Sequence, residues 1–129
     1  MRWGLALAVT ILMAPSNLLA ETQQRVDILK IFDRFTASNA AAAKCFKPDE
    51  ATFTKFHANY RDVIVRASLR LSEMYPNATN EKIKLVMKNR MEQLGGNVVA
   101  KIENFGCDDD SIKLLIKLFK AHADWEIGK

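Results

Sequence analysis

The sequence is poor in the residue types from which most catalytic and metal sites are built. It contains only two histidines, His57 and His122, and two cysteines, Cys45 and Cys107. The cysteines are too far apart for a CxxC redox motif or a compact zinc knuckle, and no CxxCH sequence is present to attach a haem. No serine lies in a GxSxG turn of the kind that exposes a hydrolase nucleophile. We therefore expect neither an enzyme nor a bound cofactor.

One acidic run, Asp108-Asp109-Asp110, raises the question of a metal site. A calcium loop needs oxygen ligands at alternate positions, a glycine for the turn and a distal bidentate glutamate. Apolar residues stand where those ligands would be needed, and no glycine follows. Acidic side chains at a helix start are ordinary capping groups. We interpret the run as a helix start and expect no metal.

Long apolar runs are missing everywhere after residue 20. Within residues 1–20, Arg2 is the only charged residue, and it is followed by the apolar run 5–14, Pro15 and the small residue Ala20. This order is typical of a secretory signal peptide, and the run is too short to cross a bilayer. The alternative, a buried N-terminal helix, would need a polar face. We predict a signal peptide over 1–20 and an exported (periplasmic or secreted) helical domain over 21–129 without a transmembrane segment, although Leu18 is large for a position before the cut and the cleavage site could shift.

A strong excess of either charge is also missing. Cleavage after residue 20 would remove Arg2 and no acid, which changes the net charge from +4 to +3. A net charge this small does not favour nucleic acid as a partner. In an oxidising compartment, Cys45 and Cys107 are expected to form a disulphide, with two free buried thiols as the alternative. A bridge that closes a loop of about 60 residues should stabilise the fold by roughly 4 kcal/mol.

Alternation of apolar and polar residues, the pattern of a half-buried strand, is absent, and the apolar spacing is helical throughout. We predict an all-α single domain of about five helices, cross-linked by one disulphide. The second helix should begin at Pro48 and end at Pro76, and Gly95-Gly96 should separate the third helix from the fourth. Alanines 40–43 should form helix but pack little. The predicted buried faces are Val26, Ile28, Leu29, Ile31, Phe32 and Phe35; Phe53, Phe56, Tyr60, Val63, Ile64, Ala67, Leu71 and Met74; Ile83, Val86, Met87, Met91 and Leu94; Val98, Val99, Ile102 and Phe105; and Ile112, Leu115, Ile116, Phe119, His122 and Trp125.

The residues left for a partner-binding surface are few. They are Phe46 beside the predicted bridge, Arg61, Arg66 and Arg70 on the second helix, and Trp125 near the C-terminus. Arginine makes forked contacts to carboxylates, and aromatic anchors dominate interface energies. Both histidines lie on or beside apolar faces, where we interpret His57 as a boundary residue and His122 as a hydrogen-bonded core residue. The lysines of the last helix form a stripe that could contact phospholipid or protein.

The layout from residue 45 to about residue 110 resembles the Spackle family, small exported helical proteins of bacteriophages. The shared features are an early cysteine, a helix ended by proline, a charged helix ending in Gly-Gly and a late Cys-Asp, here Cys45, Pro76, Gly95-Gly96 and Cys107-Asp108. That resemblance implies a periplasmic inhibitor of a phage lysozyme. More loosely, the chain is similar to the HdeA acid-stress chaperones, which are small, periplasmic, helical and cross-linked by a single bridge.

Two functions of different classes follow as hypotheses. The first is a non-catalytic protein that binds one exported protein, as an inhibitor or immunity protein does. The second is a stress chaperone that loosens in acid and binds many unfolded chains. The chain has no histidine cluster to sharpen an acid switch, which favours the specific binder.

The signal-peptide interpretation makes a direct prediction about processing. The mature protein should begin near Glu21 and accumulate in the exported fraction, because residues 5–14 supply the apolar run that export requires. N-terminal sequencing of the purified protein checks this. Recovery of Met1 on a cytoplasmic protein would contradict the interpretation.

Overall fold

The computed structural model describes the backbone of residues 16–126 and the side chains of residues 28–126. Over this part the chain forms four helices: α1 (Ser16–Cys45), α2 (Glu50–Met74), α3 (Asn80–Phe105) and α4 (Asp110–Ala123). The described residues include no strand, so the all-α prediction is confirmed. Most of the predicted signal peptide, residues 1–15, and the side chain of Val26 lie outside the described residues. No helix in the described part is long and apolar enough to cross a bilayer.

Short polar side chains define the starts of the last three helices. The carboxylate of Asp49 accepts a hydrogen bond from the amide of Thr52 at 2.7 Å, and Thr79 caps α3 through the amide of Lys82 at 3.1 Å. Asp109 caps α4 by accepting from the amide of Ser111. These bonds satisfy amide groups that the first turn of a helix leaves without a partner. The aspartate run is therefore a helix start, as predicted, whereas the first residue of α2 is Glu50 and not Pro48.

The prediction of five helices is wrong because Gly95-Gly96 does not end a helix. Helix α3 continues through both glycines to Phe105, and the left-handed glycine lies later, at Gly106, where φ is 83°. Residues on both sides of the glycine pair pack against α1, Met87 in one core cluster and Val98 in another. Burial of these two side chains against one continuous partner helix outweighs the cost of two glycines, about 1 kcal/mol each.

The alanines of α1 form a contact surface for α3 at the first of the two glycines. A Cβ atom added at Gly95 would lie 4.0 Å from the Cβ of Ala40, so α1 and α3 approach closely at this point. Ala41 and Ala42 are fully buried, which corrects the expectation that these alanines pack little. Small side chains on both helices shorten the distance between helix axes.

Arg90 of α3 makes a two-pronged ion pair with Asp33 of α1, with both nitrogen–oxygen distances 2.6 Å.

Helix α1 contacts each of the other three helices and forms the centre of the domain. The largest core cluster joins its Phe32 and Phe35 to residues of α2, α3 and α4. A second cluster, around Ala41, Val98 and Ile112, lies nearer the bridge. The predicted buried faces are correct in the buried residues Phe32, Phe35, Phe56, Tyr60, Val63, Ala67, Leu71, Ile83, Met87, Val98, Ile112 and Phe119.

Several predicted core residues are exposed instead. Phe53 is 50% exposed and Phe105 68%, and Met74, Val86 and Trp125 are also exposed. Four of them lie near helix ends, where the neighbouring helices no longer cover the face; Trp125 follows the last residue of α4. Val86 lies on the flank of α3, next to the buried stripe of Ile83 and Met87. Periodicity identified the correct side of each helix but not how far along its neighbours extend.

The predicted disulphide is confirmed. Cys45 and Cys107 are bonded, with their Cα atoms 5.6 Å apart, and no free cysteine is present among the described residues. The bond joins the last residue of α1 to the turn between α3 and α4. It closes a sequence separation of 62 residues, for which loop entropy predicts a stabilisation of about 4 kcal/mol.

The continuous α3 helix predicts opposite effects for two glycine substitutions. Gly96→Ala should raise the free energy of unfolding by about 0.5–1 kcal/mol, because the position is helical and a Cβ would meet nothing within 4 Å. Gly106→Ala should lower it by about 1–3 kcal/mol, because alanine is strained at that positive φ. Urea denaturation measures both. Destabilisation by Gly96→Ala would show that the helix is interrupted at the glycine pair.

Candidate binding pocket

An open pocket of about 300 Å³ lies beside the disulphide, where α1 ends and α2 begins. The segment that follows Cys45 forms one wall, the first turns of α2 form another, and Phe119 of α4 lies at the base. Its lining is mostly apolar and contains three phenylalanines. The lining residues are Asn39, Ala42, Ala43, Phe46, Lys47, Pro48, Phe53, His57 and Phe119.

Phe46 is held in place from several directions. Its amide donates to the carbonyl of Ala42 at 3.0 Å, which continues the hydrogen-bond pattern of α1 beyond Cys45. Its ring meets the edge of the Phe119 ring at a centroid distance of 6.3 Å, and the ammonium of Lys120 lies 4.7 Å from its centroid. A cation over an aromatic face is attracted by the ring quadrupole. The wall is thus preorganised, and it places a positive charge beside the pocket.

Phe53 and His57 form the opposite wall, one turn apart on α2. Their rings lie 4.2 Å apart, and the His57 ring also meets the Phe56 ring edge-on at 5.4 Å. Burial lowers the pKa of His57, so its imidazole is neutral at pH 7. The half-exposed Phe53 ring is an apolar surface that the described helices leave partly uncovered. A side chain from a partner could cover it, and so could a small apolar ligand.

The predicted partner-binding residues do not form one surface. Phe46 lines the pocket, whereas Trp125 lies in a second, more polar cleft between α2 and the end of α4. There the side-chain amide of Asn59 donates to the carbonyls of His122 at 2.8 Å and Trp125 at 2.7 Å. These bonds satisfy carbonyl groups at the end of α4. Trp125 also contacts Phe35, with a centroid distance of 5.7 Å, and is 37% exposed.

The three arginines lie on α2, away from the pocket lining. Arg66 and Arg70 are four residues apart on one face of the helix, whereas Arg61 is rotated from Arg66 by about 140°. Arg66 and Arg61 are exposed. The Arg70 side chain is 22% exposed and pairs with Glu73 at 3.4 Å. A single partner surface could therefore use Arg66 and Arg70 together, but not all three arginines.

A serine–histidine contact in the core resembles part of a catalytic arrangement. Ser38 Oγ lies 3.3 Å from His122 Nδ1, but Ser38 is fully buried and its hydroxyl also donates to the carbonyl of Phe35 at 3.1 Å. That donation leaves the Ser38 oxygen to accept from the imidazole, the reverse of what a general base requires. The His122 ring stacks on Phe35 at a centroid distance of 3.9 Å. The contact is well suited to core packing and poorly suited to attack on a substrate.

Of the lining residues, only Phe46 was predicted as a site residue. Asn39 lies in a polar interval of α1, Phe53 was assigned to the core, and His57 was interpreted as a boundary residue. One signal in the sequence was available: Phe46, Phe53 and His57 lie on either side of a tight turn at Pro48, close to a predicted bridge. The described residues include no group of three or more potential metal ligands of the histidine, cysteine or carboxylate type.

Comparison with known proteins adds no family to this description. No family profile, curated protein or solved structure matches the chain. The residues and their geometry are therefore the basis for every functional inference.

The half-buried position of His122 predicts a loss of stability in mild acid. Burial, together with the nearby charge of Arg34, lowers the pKa of His122 to about 4 from its ordinary 6.5. The folded state therefore binds the proton less readily than the unfolded state. The contribution of neutral His122 to the free energy of unfolding is therefore complete above pH 6.5, and it is lost as the pH falls from 6.5 to 4. Because the ring is only half-buried, we expect a loss of about 1–2 kcal/mol.

Proton NMR of the imidazole should give a pKa near 4, and urea denaturation between pH 7 and 4 measures the loss. His122→Gln should flatten the pH dependence in this interval, whereas the matched variant His57→Gln should retain most of it. An NMR pKa near 6.5 for His122 would contradict its burial.

Proposed function

We propose that this protein is an exported, non-catalytic binding protein that recognises one specific protein partner, as an inhibitor or immunity protein does. The open aromatic pocket beside the disulphide is the observation that carries the proposal. It presents Phe46 and Phe53 to solvent on a preorganised frame. Rigid aromatic side chains in a concave site are typical of the positions that contribute most to binding energy.

The disulphide and the sequence of residues 1–20 support the exported location. Disulphides persist in oxidising compartments and are rare in the cytosol. The predicted cleavage after Ala20 falls within α1 and precedes every described buried residue, of which Phe32 is the first. Processing at this position would leave the described core clusters and the pocket in place.

The absence of catalysis is part of the proposal and is supported by the two histidines. His122 contacts the buried Ser38, and His57 lies against Phe53 with the rings tilted by 48°; no serine, threonine, tyrosine or cysteine of the described residues lines the same pocket. General-base catalysis needs a base within hydrogen-bond reach of a nucleophile that the substrate can approach. Neither histidine of this chain has such a partner among the described residues.

The acid-stress chaperone is a second candidate, favoured by one observation. His122 lies against Phe35 at the centre of the domain, so its protonation would place a charge in the core. Acid could then loosen the packing of α4 and expose apolar surface. The preorganised pocket is available without any such loosening, and for this reason the specific binder is the better-supported function.

Affinity capture with pocket variants tests the proposed function. The purified, disulphide-bonded protein is immobilised and exposed to an extract of exported proteins at pH 7. We expect one predominant partner, and we expect Phe53→Ala to reduce its capture at least tenfold, because truncation of an interface anchor typically costs more than about 1.4 kcal/mol. Circular dichroism should show an unchanged fold, since Phe53 is half exposed.

The double variant Arg66→Glu, Arg70→Glu tests the arginine face as an alternative binding surface. If it abolishes capture while Phe53→Ala does not, the arginine face is the binding surface and the pocket is not. Capture of many unrelated proteins, increasing as the pH is lowered, would instead support the chaperone.

A further inference from the structure

The charged side chain in the pocket lining and the one over its Phe46 wall are both positive. Lys47 is the single charged residue among the described lining residues. The ammonium of Lys120 lies over the ring of Phe46, which forms one wall. No carboxylate lines the pocket. The nearest acids along the chain, Asp49 and Glu50, lie at the start of α2 outside the lining, and the Asp49 carboxylate accepts a hydrogen bond from the amide of Thr52, which lowers its pKa. The pocket thus combines apolar walls with a cationic rim.

The size of the pocket limits what can enter it. About 300 Å³ is at the lower end of the range for ligand sites. One large aromatic or branched aliphatic side chain, with the adjoining backbone, can occupy such a space. The amide of Asn39 in the wall can donate to or accept from that backbone. An acyl chain or an extended cofactor would need a deeper cavity.

We propose that the pocket receives a single large apolar side chain from an acidic segment of the partner, with neighbouring carboxylates paired to Lys47 and Lys120. This inference deepens the proposed function and rests on it. The cation over the Phe46 ring uses only one direction of the Lys120 ammonium, whose other protons can be donated to a carboxylate. The neutral His57 adds no charge of its own at pH 7. Selectivity for acidic neighbours therefore depends on the two lysines.

Three matched peptides test this recognition: acetyl-Gly-Phe-Glu-Glu-amide, its uncharged counterpart acetyl-Gly-Phe-Gln-Gln-amide, and acetyl-Gly-Ala-Glu-Glu-amide, which lacks the anchor. Each is titrated to millimolar concentration into the isotope-labelled, disulphide-bonded protein, and binding is followed by NMR at low salt. The acidic phenylalanine peptide should bind about threefold to tenfold more tightly than the uncharged one, with shifts centred on Phe46, Phe53 and His57. The alanine peptide should bind at least tenfold more weakly.

The double variant Lys47→Gln, Lys120→Gln should remove the preference for the acidic peptide and retain the requirement for phenylalanine. The matched control Lys113→Gln, Lys117→Gln, on α4, should leave the preference unchanged. Equal binding of the acidic and uncharged peptides would overturn the charge selectivity, and equal binding of the phenylalanine and alanine peptides would overturn the anchor. Absence of any shift in the pocket would overturn the inference as a whole. Capture of a partner that depends on Phe53 would still support the proposed function in each of these cases.

Discussion

The packing of the Phe35 ring against other aromatic rings is the interaction on which most of the described structure depends. The ring is fully buried, and it lies against Phe56 and Tyr60 of α2, His122 of α4 and Trp125 beyond α4. One side chain of the central helix thus orients two other helices and the segment after α4. Truncation of so well-packed an aromatic residue typically costs 3–5 kcal/mol. That is a large share of the stability of a domain of this size.

The third helix is attached to α1 by different means. Small residues at the contact, Gly95 against Ala40, allow the two backbones to approach, and the Arg90–Asp33 ion pair and the disulphide hold the contact on either side. The ion pair and the disulphide thus supplement the contact between small residues. The disulphide also fixes the end of α1, so the following residue, Phe46, emerges at a defined place. Together with the Phe46–Phe119 ring contact, this covalent constraint positions one wall of the pocket.

Most buried polar side-chain atoms of the described residues are paired, with Arg70 Nε as the exception. The hydroxyl of Thr36 lies 2.7 Å from that of Tyr60, and burial raises the pKa of Tyr60. Ser38 pairs with His122 in the same region. Because an unpaired buried polar group costs free energy, these pairs specify the register between α1, α2 and α4. Ser38 and His122 are thus occupied by a contact inside the domain, whereas the pocket residues lie at the surface.

The sequence by itself determined the local structure of this protein: the helical periodicity, the caps at Thr79 and Asp109, the stop before Pro76 and the pairing of its two cysteines. Each depends on residues close in sequence or, for the cysteines, on there being one possible pair. Tertiary structure decided the rest. Gly95-Gly96 remained helical because α1 packs on both sides of it, and the buried alanines became a contact surface. Phe53 became a pocket wall because the described helices leave half of its surface uncovered in the first turn of α2. Burial depends on which elements meet in space, and the spacing of apolar residues along one helix carries no information about where its neighbours end.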